Sequence, residues 1–174
     1  MRRLLTLDAG DYTADMPVFE RWNVRAVIFR DGKLAMQRSR LGEFKFPGGS
    51  VDEGESNLTA LCREVREETG LLVRPASVRP LGEILEMRED LFQKGTKYVC
   101  HSLFYACEVE EKMVETAPTA SELKQGQELC WETPSTIAQT NTAFSHKQWI
   151  ARDTAFLRLW MKEQGLTVPA APAL

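Results

Sequence analysis

The chain has few of the residues from which zinc sites and disulfide frameworks are built. It contains four cysteines without a C-x-x-C pair and two histidines without zinc-binding spacing. The residues concerned are Cys62, Cys100, Cys107, Cys130, His101 and His146. We therefore expect reduced, buried thiols rather than a disulfide framework or a structural zinc site.

Excess positive charge and long apolar runs are also absent from the sequence. The formal net charge is −3 and the isoelectric point is near 5.5, so no basic stripe suited to long nucleic acid is present. No apolar run approaches the roughly 20 residues that a membrane span needs. The N-terminal sequence M-R-R-L-L-T-L-D becomes acidic too early for a signal peptide. These absences predict a cytoplasmic protein with neither a membrane partner nor a long nucleic-acid partner.

What the chain does have is the composition of one globular domain. Its 174 residues are 43% hydrophobic and 27% charged, which is enough apolar material for a single core. We expect the main domain over residues 23–166. Residues 1–22 form an N-terminal extension or edge strand, or supply a dimer contact, and residues 167–174 form a flexible tail.

The clearest secondary-structure signal is a helix that ends at Gly70. Ser56 or Asn57 is a suitable N-cap, and a glycine after the last turn favours the left-handed residue that ends many helices. Apolar side chains recur at helical spacing and should pack inward. They are Leu58, Leu61, Cys62 and Val65.

This helix carries three carboxylates on one face, which the inward packing of the apolar residues should leave accessible at a rim. Glu64, Glu67 and Glu68 stand at positions i, i+3 and i+4, where like charges oppose one another by roughly 0.2–0.5 kcal/mol per pair. Arg63 and Arg66 can neutralise part of this charge, but a hard divalent cation such as Mg²⁺ or Mn²⁺ suits an all-oxygen set better. The alternative is an ordinary solvated helix face.

A glycine-rich loop precedes the helix. Pro47, Gly48, Gly49 and Gly54 disfavour regular structure and allow a ligand to approach the backbone closely. Alone, such a loop is most often a simple turn. Followed by an acidic helix, it predicts half of a binding site.

Loop and helix together resemble the Nudix hydrolase family, whose sequence box reads G-x5-E-x7-R-E-U-x-E-E-x-G-U, where U is aliphatic. The chain meets every fixed position, with Gly49, Glu55, Arg63, Glu64, Val65, Glu67, Glu68, Gly70 and Leu71. The resemblance implies an α/β Nudix fold, in which a mixed β-sheet is sandwiched between α-helices.

The resemblance also implies roles for the box residues. Glu64, Glu67 and Glu68 would bind Mg²⁺ or Mn²⁺ together with the backbone carbonyl of Gly49. Glu55 and Arg63 would form an orienting pair that ties the loop to the helix, because a guanidinium can hold a carboxylate at two points.

The general base is implied less specifically. In relatives it is a glutamate on the helix, which matches Glu64, or one on a later loop, for which Glu128 and Glu122 are the candidates. The sequence does not choose among the three.

The reaction implied by the resemblance is hydrolysis of a nucleoside diphosphate linked to another group. Bound divalent cations would neutralise the diphosphate and assist the attack of water on phosphorus. A small member resembles the MutT-type nucleoside triphosphate pyrophosphohydrolases. Alternatives are cleavage of ADP-ribose, a nucleotide sugar or a dinucleotide; Glu86 stands near the position where ADP-ribose hydrolases carry a proline. A non-catalytic nucleotide-sensing module is the alternative of another class. By analogy with relatives, the chain is also expected to be able to form a homodimer.

The remaining chain alternates strands and a helix. Apolar runs at residues 23–30 and 33–38 flank Asp31-Gly32 and predict a hairpin, and further strands are expected at 72–73, 78–87, 98–109 and 127–131. Residues 145–164 predict a second large helix, whose aromatic residues, including Trp149, should lie in the core. The polar segment 110–126 predicts a long connection, either a mobile loop or a lid over the substrate.

Substrate contacts are predicted only in outline. The arginines upstream of the box, which are the better phosphate candidates, are Arg25, Arg38 and Arg40. The rings near strand ends, most of which should be core residues, are Phe44, Phe46, Tyr98, Phe104 and Trp131.

Overall fold

The computed structural model describes residues 1–117 and 120–170, without the side chains of residues 120–122. The strands are β1 (Arg3–Asp8), β2 (Val18–Val27), β3 (Phe29–Arg30), β4 (Lys33–Arg38), β5 (Phe44–Lys45), β6 (Leu71–Val73), β7 (Arg79–Glu89), β8 (Lys97–Ala106), β9 (Val109–Met113) and β10 (Glu128–Glu132). The helices are α1 (Asn57–Thr69), α2 (Ala120–Gln125), α3 (Pro134–Thr142) and α4 (Gln148–Glu163). Within the described ranges, no helix has the length and apolar character to cross a bilayer.

The largest sheet is mixed and has the strand order β1-β7-β8-β2. β1 pairs with β7 and β2 pairs with β8 in parallel, whereas β7 and β8 are antiparallel neighbours. A second sheet has the order β10-β4-β3 with β5 added to β4, and β6 and β9 form a separate antiparallel pair. β1 thus occupies one edge of the largest sheet.

The predicted hairpin forms only around its turn. Asp31 and Gly32 both have positive φ, 51° and 77°, and the two residues of β3 pair with β4. β2 pairs with β8 instead, so the prediction that residues 23–30 form one hairpin strand is wrong. The parallel pairing joins segments about 80 residues apart, which no local pattern could reveal.

The two sides of the sheet are covered by different helices, as the α/β sandwich requires. Alternate residues of β2, Val24 and Ala26, face the cluster beneath α1, and Val27 faces the cluster beneath α3 and α4. Phe104 of β8 and Phe156 of α4 stack with ring centroids 3.7 Å apart in the second cluster. The Nudix-type sandwich predicted for the chain is confirmed.

Helix α1 begins and ends as the sequence predicts. The side chain of Ser56 accepts a hydrogen bond from the Thr59 amide, and Gly70 has φ 72° and donates its amide to the Arg66 carbonyl. Three of the four predicted inward residues are at least partly buried, but Leu58 is 42% exposed and the prediction for it is wrong. Ala60, which is fully buried, takes the inward position instead.

Two later segments differ from the sequence-based expectation. Within the predicted connection 110–126, residues 110–113 belong to strand β9, which pairs with β6, and residues 120–125 form α2. α3 was not predicted. In the tail, Arg158 donates a hydrogen bond to the Pro169 carbonyl at 2.6 Å, and residues 171–174 lie outside the described part.

Candidate active site

The glycine-rich loop is held against β2 by backbone hydrogen bonds. The amides of Val24 and Ala26 donate to the carbonyls of Gly49 and Pro47 at 2.9 and 2.8 Å. A Cβ at Gly49 would lie 2.3 Å from a carboxylate oxygen of Glu64. A side chain at this position would therefore displace the Glu64 carboxylate, whereas glycine leaves it in place.

Arg63 lies at the centre of the acidic face of α1. Its Nε and one terminal nitrogen donate to the two carboxylate oxygens of Glu55 at 3.0 and 2.8 Å. The other terminal nitrogen donates to Glu64 at 2.8 Å and to Glu67 at 3.4 Å. These contacts, with the Glu55 hydrogen bonds first, raise the pKa of Arg63 above its usual range. The Glu55–Arg63 pairing implied by the family resemblance is present.

Glu68 is buried rather than placed at the rim, so the expectation of a fully accessible acidic face is wrong for this residue. The residue is 6% exposed, and its carboxylate receives a hydrogen bond from the Gly48 amide at 2.7 Å and pairs with the Lys45 ammonium at 2.8 Å. A buried carboxylate is tolerated when its oxygens have such partners. Lys45 lies on β5, 23 residues before Glu68, so this ion pair is a tertiary contact that the helical pattern does not indicate.

Glu64 and Glu67 differ in their surroundings. Burial raises the pKa of the Glu64 carboxyl, and the hydrogen bond from Arg63 opposes that rise. The Glu67 side chain is 41% exposed. The predicted ligand set therefore consists of one buried, one partly buried and one accessible carboxylate.

The chemistry of these donors fits a hard divalent cation. All three are carboxylates, and a cation would offset the desolvation of Glu64. Within the described residues, no group of three His, Cys, Asp or Glu side chains is arranged as a ready-made metal cage. Because Arg63 and Lys45 already pair with the carboxylates, a bound cation would have to replace some of their contacts.

A cavity of about 390 Å³ opens beside the loop and α1. Gly49, Glu64 and Glu68 line one part of it. The cationic side chains that line the rest are Arg21, Arg25, Lys45, Arg88 and Arg152, and the rings are Phe92, Tyr98 and Trp149. Glu86 also lines the cavity, whereas Glu67, the remaining predicted ligand, does not. The structure therefore joins three of the four predicted metal ligands to a basic and aromatic surface.

Only some of the predicted substrate contacts reach this cavity. Arg25 and Tyr98 line it. Arg38 lies over the Phe44 ring, with 5.5 Å between its guanidinium carbon and the ring centroid, and Arg40 packs against Gly126. The other candidate rings lie elsewhere: Phe44, Phe46 and Phe104 are in the core, and Trp131 faces Arg30.

Of the two later candidates for the general base, only Glu128 has a described side chain. Glu128 is exposed at the start of β10 and is not part of that lining. The Glu122 side chain lies outside the described residues. Glu64 is the candidate that lines the cavity.

Sequence reasoning missed part of the basic and aromatic surface. Trp149, which was expected in the core, is 46% exposed and lines the cavity, and Phe92 on the β7–β8 loop is 95% exposed. Arg152 is 4% exposed within α4. The burial of Arg152 could have been predicted from the sequence. Arg152 stands three positions after Trp149 and four before Phe156, which places it on the apolar face of the predicted helix.

Two curated proteins are similar to this chain over short stretches. A stretch of 53 residues is 43% identical to a CTP pyrophosphohydrolase of Escherichia coli (strain K12), covering 28% of this chain and 39% of that protein. A stretch of 64 residues is 42% identical to an RNA pyrophosphohydrolase of Halorhodospira halophila, covering 36% of this chain and 34% of that protein. The chain thus matches little more than a third of the length of these curated relatives.

Similarity to solved structures extends over most of the chain. The structure of a NUDIX hydrolase from Nitrosomonas europaea has a TM-score of 0.58 and 18% identity, covering 90% of this chain and 97% of that one. At this identity the match shows a shared fold. The family model of the NUDIX domain matches residues 20–153, which contain the loop, α1 and the whole cavity lining. The chain belongs to the Nudix family.

Proposed function

We propose that this chain is a hydrolase that cleaves the diphosphate linkage of a nucleoside diphosphate derivative with the help of a divalent cation, Mg²⁺ or Mn²⁺. The observation that carries the proposal is the cavity itself. It brings the carboxylates of Glu64 and Glu68 together with five cationic side chains in one space. A diphosphate ester is an anion that needs both a cation and guanidinium or ammonium donors to bind.

Each box residue has a role in this proposal. Glu64, Glu67 and Glu68, with the Gly49 carbonyl, would hold the cation, and Glu55 would act through Arg63 as a positioning residue. When bound, the cation supplies charge neutralisation and polarisation of the phosphoryl oxygens. Desolvation makes the Glu64 carboxylate more basic, which suits a proton acceptor as well as a ligand.

The most specific form of the proposal is a nucleoside triphosphate pyrophosphohydrolase of the MutT type. The names of the two relatives, CTP pyrophosphohydrolase and RNA pyrophosphohydrolase, support a phosphate-rich nucleotide as substrate. ADP-ribose, nucleotide sugars and dinucleotides are the alternatives within the same reaction class. We place the hydrolase domain at residues 23–166.

The experiment that tests the proposal is product analysis with a substrate panel. The purified chain is incubated with nucleoside triphosphates, nucleotide sugars, ADP-ribose, dinucleotides and capped RNA, each with Mg²⁺, with Mn²⁺ or with a chelator. We expect cation-dependent release of a nucleoside monophosphate from at least one class, and the second product identifies the phosphorus attacked. Nucleotide binding without hydrolysis of any member would favour the sensing-module alternative and contradict the proposal.

A further inference from the structure

Arg25 is a buried cation in the cavity lining that no carboxylate neutralises directly. It is 9% exposed, and one terminal nitrogen donates to the Gly48 carbonyl. Its Nε is buried without a hydrogen-bond partner. The charges of Asp153 and Glu68 attract the Arg25 guanidinium. They offset its desolvation only in part, since the pKa of Arg25 stays below its usual value and its Nε has no hydrogen-bond partner.

A second buried guanidinium adds positive charge at the same place. Arg152 is 4% exposed, and its Nε and one terminal nitrogen donate to Asp153 at 3.1 and 3.0 Å. The other oxygen of Asp153 accepts the Phe46 amide at 3.0 Å. Burial, and then repulsion from Arg152, lower the pKa of Arg25. The charges of Asp153 and Glu68 oppose this fall without reversing it.

Two of the other three cations of the lining are already matched within the protein. Lys45 pairs with Glu68 at 2.8 Å. Arg88 pairs with Glu86 at 2.8 Å and lies over the Tyr98 ring. The third, Arg21, is exposed and donates to the Ser50 hydroxyl at 2.9 Å. The unmatched positive charge of the lining therefore lies at the exposed Arg21 and at the buried pair Arg25 and Arg152.

We propose that Arg25 and Arg152 bind a phosphoryl group of the substrate in addition to the two phosphoryl groups of the scissile linkage. This inference rests on the proposed function for the identity of the scissile linkage. A neutral nucleobase edge in this place would leave the guanidinium charge uncompensated, whereas a phosphoryl oxygen accepts from a guanidinium at two points and supplies the missing negative charge.

The additional phosphoryl group has two chemical sources. It is the terminal phosphate of a nucleoside triphosphate, or a phosphate monoester carried elsewhere on a diphosphate compound. Both place a dianion beyond the scissile linkage, and both predict that compounds with only two phosphoryl groups are poor substrates.

Binding of inorganic phosphate in the presence of a chelator tests the site without requiring hydrolysis. We expect millimolar or tighter binding by calorimetry and a change in the Arg25 Nε–Hε signal in NMR spectra. In Arg25→Met and Arg152→Met the affinity should fall about tenfold or more, as expected for loss of a charged hydrogen bond. The control Arg79→Met, at an exposed arginine outside the cavity lining, should bind within about twofold of the unmodified chain.

Several outcomes decide this test. Absence of phosphate binding by the unmodified chain, or equal affinity in folded Arg25→Met, overturns the inference and leaves Arg25 as a brace for the Gly48 carbonyl. If Arg25→Met does not fold by circular dichroism, Arg25→Lys replaces it, because that variant keeps the charge and loses the two-point geometry. An unshifted Arg25 signal on phosphate addition is evidence against the site in any case.

Matched substrates with Mg²⁺ distinguish the two sources and separate this inference from the proposed function. CTP is compared with CDP, and NADPH with NADH, which lacks only the monoester. We expect kcat/KM to be about tenfold higher for the more phosphorylated member of one pair, and that pair identifies the source. Arg25→Lys should reduce this preference. Hydrolysis without preference in either pair overturns the inference. No hydrolysis in either pair counts against the proposed function, while phosphate binding still decides the arginine site.

Discussion

Arg63 and Glu55 form a two-point ion pair across eight residues of sequence, with nitrogen–oxygen distances of 3.0 and 2.8 Å. The same guanidinium donates to the Ser50 carbonyl at 3.1 Å and to Glu64 at 2.8 Å. Arg63 therefore connects both ends of the loop to the carboxylates of α1. We therefore expect Arg63 to affect turnover by positioning those carboxylates.

Arg63→Ala should lower both turnover and affinity for Mn²⁺, by about 10- to 100-fold as found for partners that orient metal ligands. Arg63→Lys keeps the charge but cannot hold Glu55 at two points, so its losses should be intermediate. Calorimetric Mn²⁺ titration and kcat/KM measure the two effects. Unchanged metal binding in Arg63→Ala would show that the pair does not position the ligands.

Glu67→Gln should abolish most of the turnover while leaving the fold intact. The Glu67 side chain is 41% exposed, so the amide replaces it without burying an unsatisfied group. The neutral amide oxygen is a weaker ligand for a divalent cation than the carboxylate it replaces. Turnover is measured at saturating Mg²⁺ and folding by thermal denaturation. Glu111→Gln on β9, another exposed glutamate, is the control, and a Glu67→Gln rate equal to that of Glu111→Gln would refute the ligand role.

Gly49→Ala should reduce metal affinity and activity, because the new methyl group would lie 2.3 Å from the Glu64 carboxylate. Gly82→Ala is the matched control, since its methyl group would meet the Leu4 side chain of β1 at 2.4 Å, away from the cavity. Both variants should be destabilised by roughly 1–3 kcal/mol through overpacking. Only Gly49→Ala should lose Mn²⁺ binding per folded molecule, and equal Mn²⁺ affinity in the two variants would contradict the argument.

The residues near the box show which features of the site a sequence can predict. Helix α1 was predicted correctly because its signals, the Ser56 cap and the Gly70 end, are local. The burial of Glu68 was not predicted, because its partner Lys45 arrives from β5 by tertiary folding. The exposure of Trp149 is similar, since periodicity identifies the face of a helix but not where the neighbouring sheet stops covering it. The sequence therefore predicts which residues form the acidic part of the site on α1. The basic part comes from several elements that only long-range folding brings together.

Asp90→Ala should raise KM with little change in kcat. Asp90 Oδ1 accepts the amides of Phe92 and Gln93 at 2.7 and 2.8 Å, and these bonds hold the β7–β8 loop with Phe92 at the cavity. Without the acceptor the loop samples more conformations, and each binding event must order it again. Asp90→Asn keeps an oxygen acceptor and is the control. A KM in Asp90→Ala equal to that of Asp90→Asn would argue against a role for the ordered loop.

The stability of the chain should fall in acid partly through Glu43. This carboxylate is 7% exposed and accepts hydrogen bonds from Lys147, the residue before α4, and from Ser39. Burial alone would raise the pKa of Glu43, but the bonds from Lys147 and Ser39 outweigh it and lower the pKa below the usual value of 4.5. The pair thereby connects the start of α4 to the segment before β5.

A depressed folded-state pKa means that the unfolded chain takes up the proton first as the pH falls. The stabilisation by Glu43 is therefore fully present above the unfolded pKa and is lost progressively as the pH falls through the folded pKa. Glu43→Gln should lower the free energy of unfolding at pH 7 by roughly 1–3 kcal/mol, and the difference from the unmodified chain should shrink below pH 4. Urea denaturation at pH 7, 5 and 3.5 measures this, with Glu111→Gln correcting for general charge effects. A difference that stays constant across those pH values would mean that the Glu43 proton is not linked to folding.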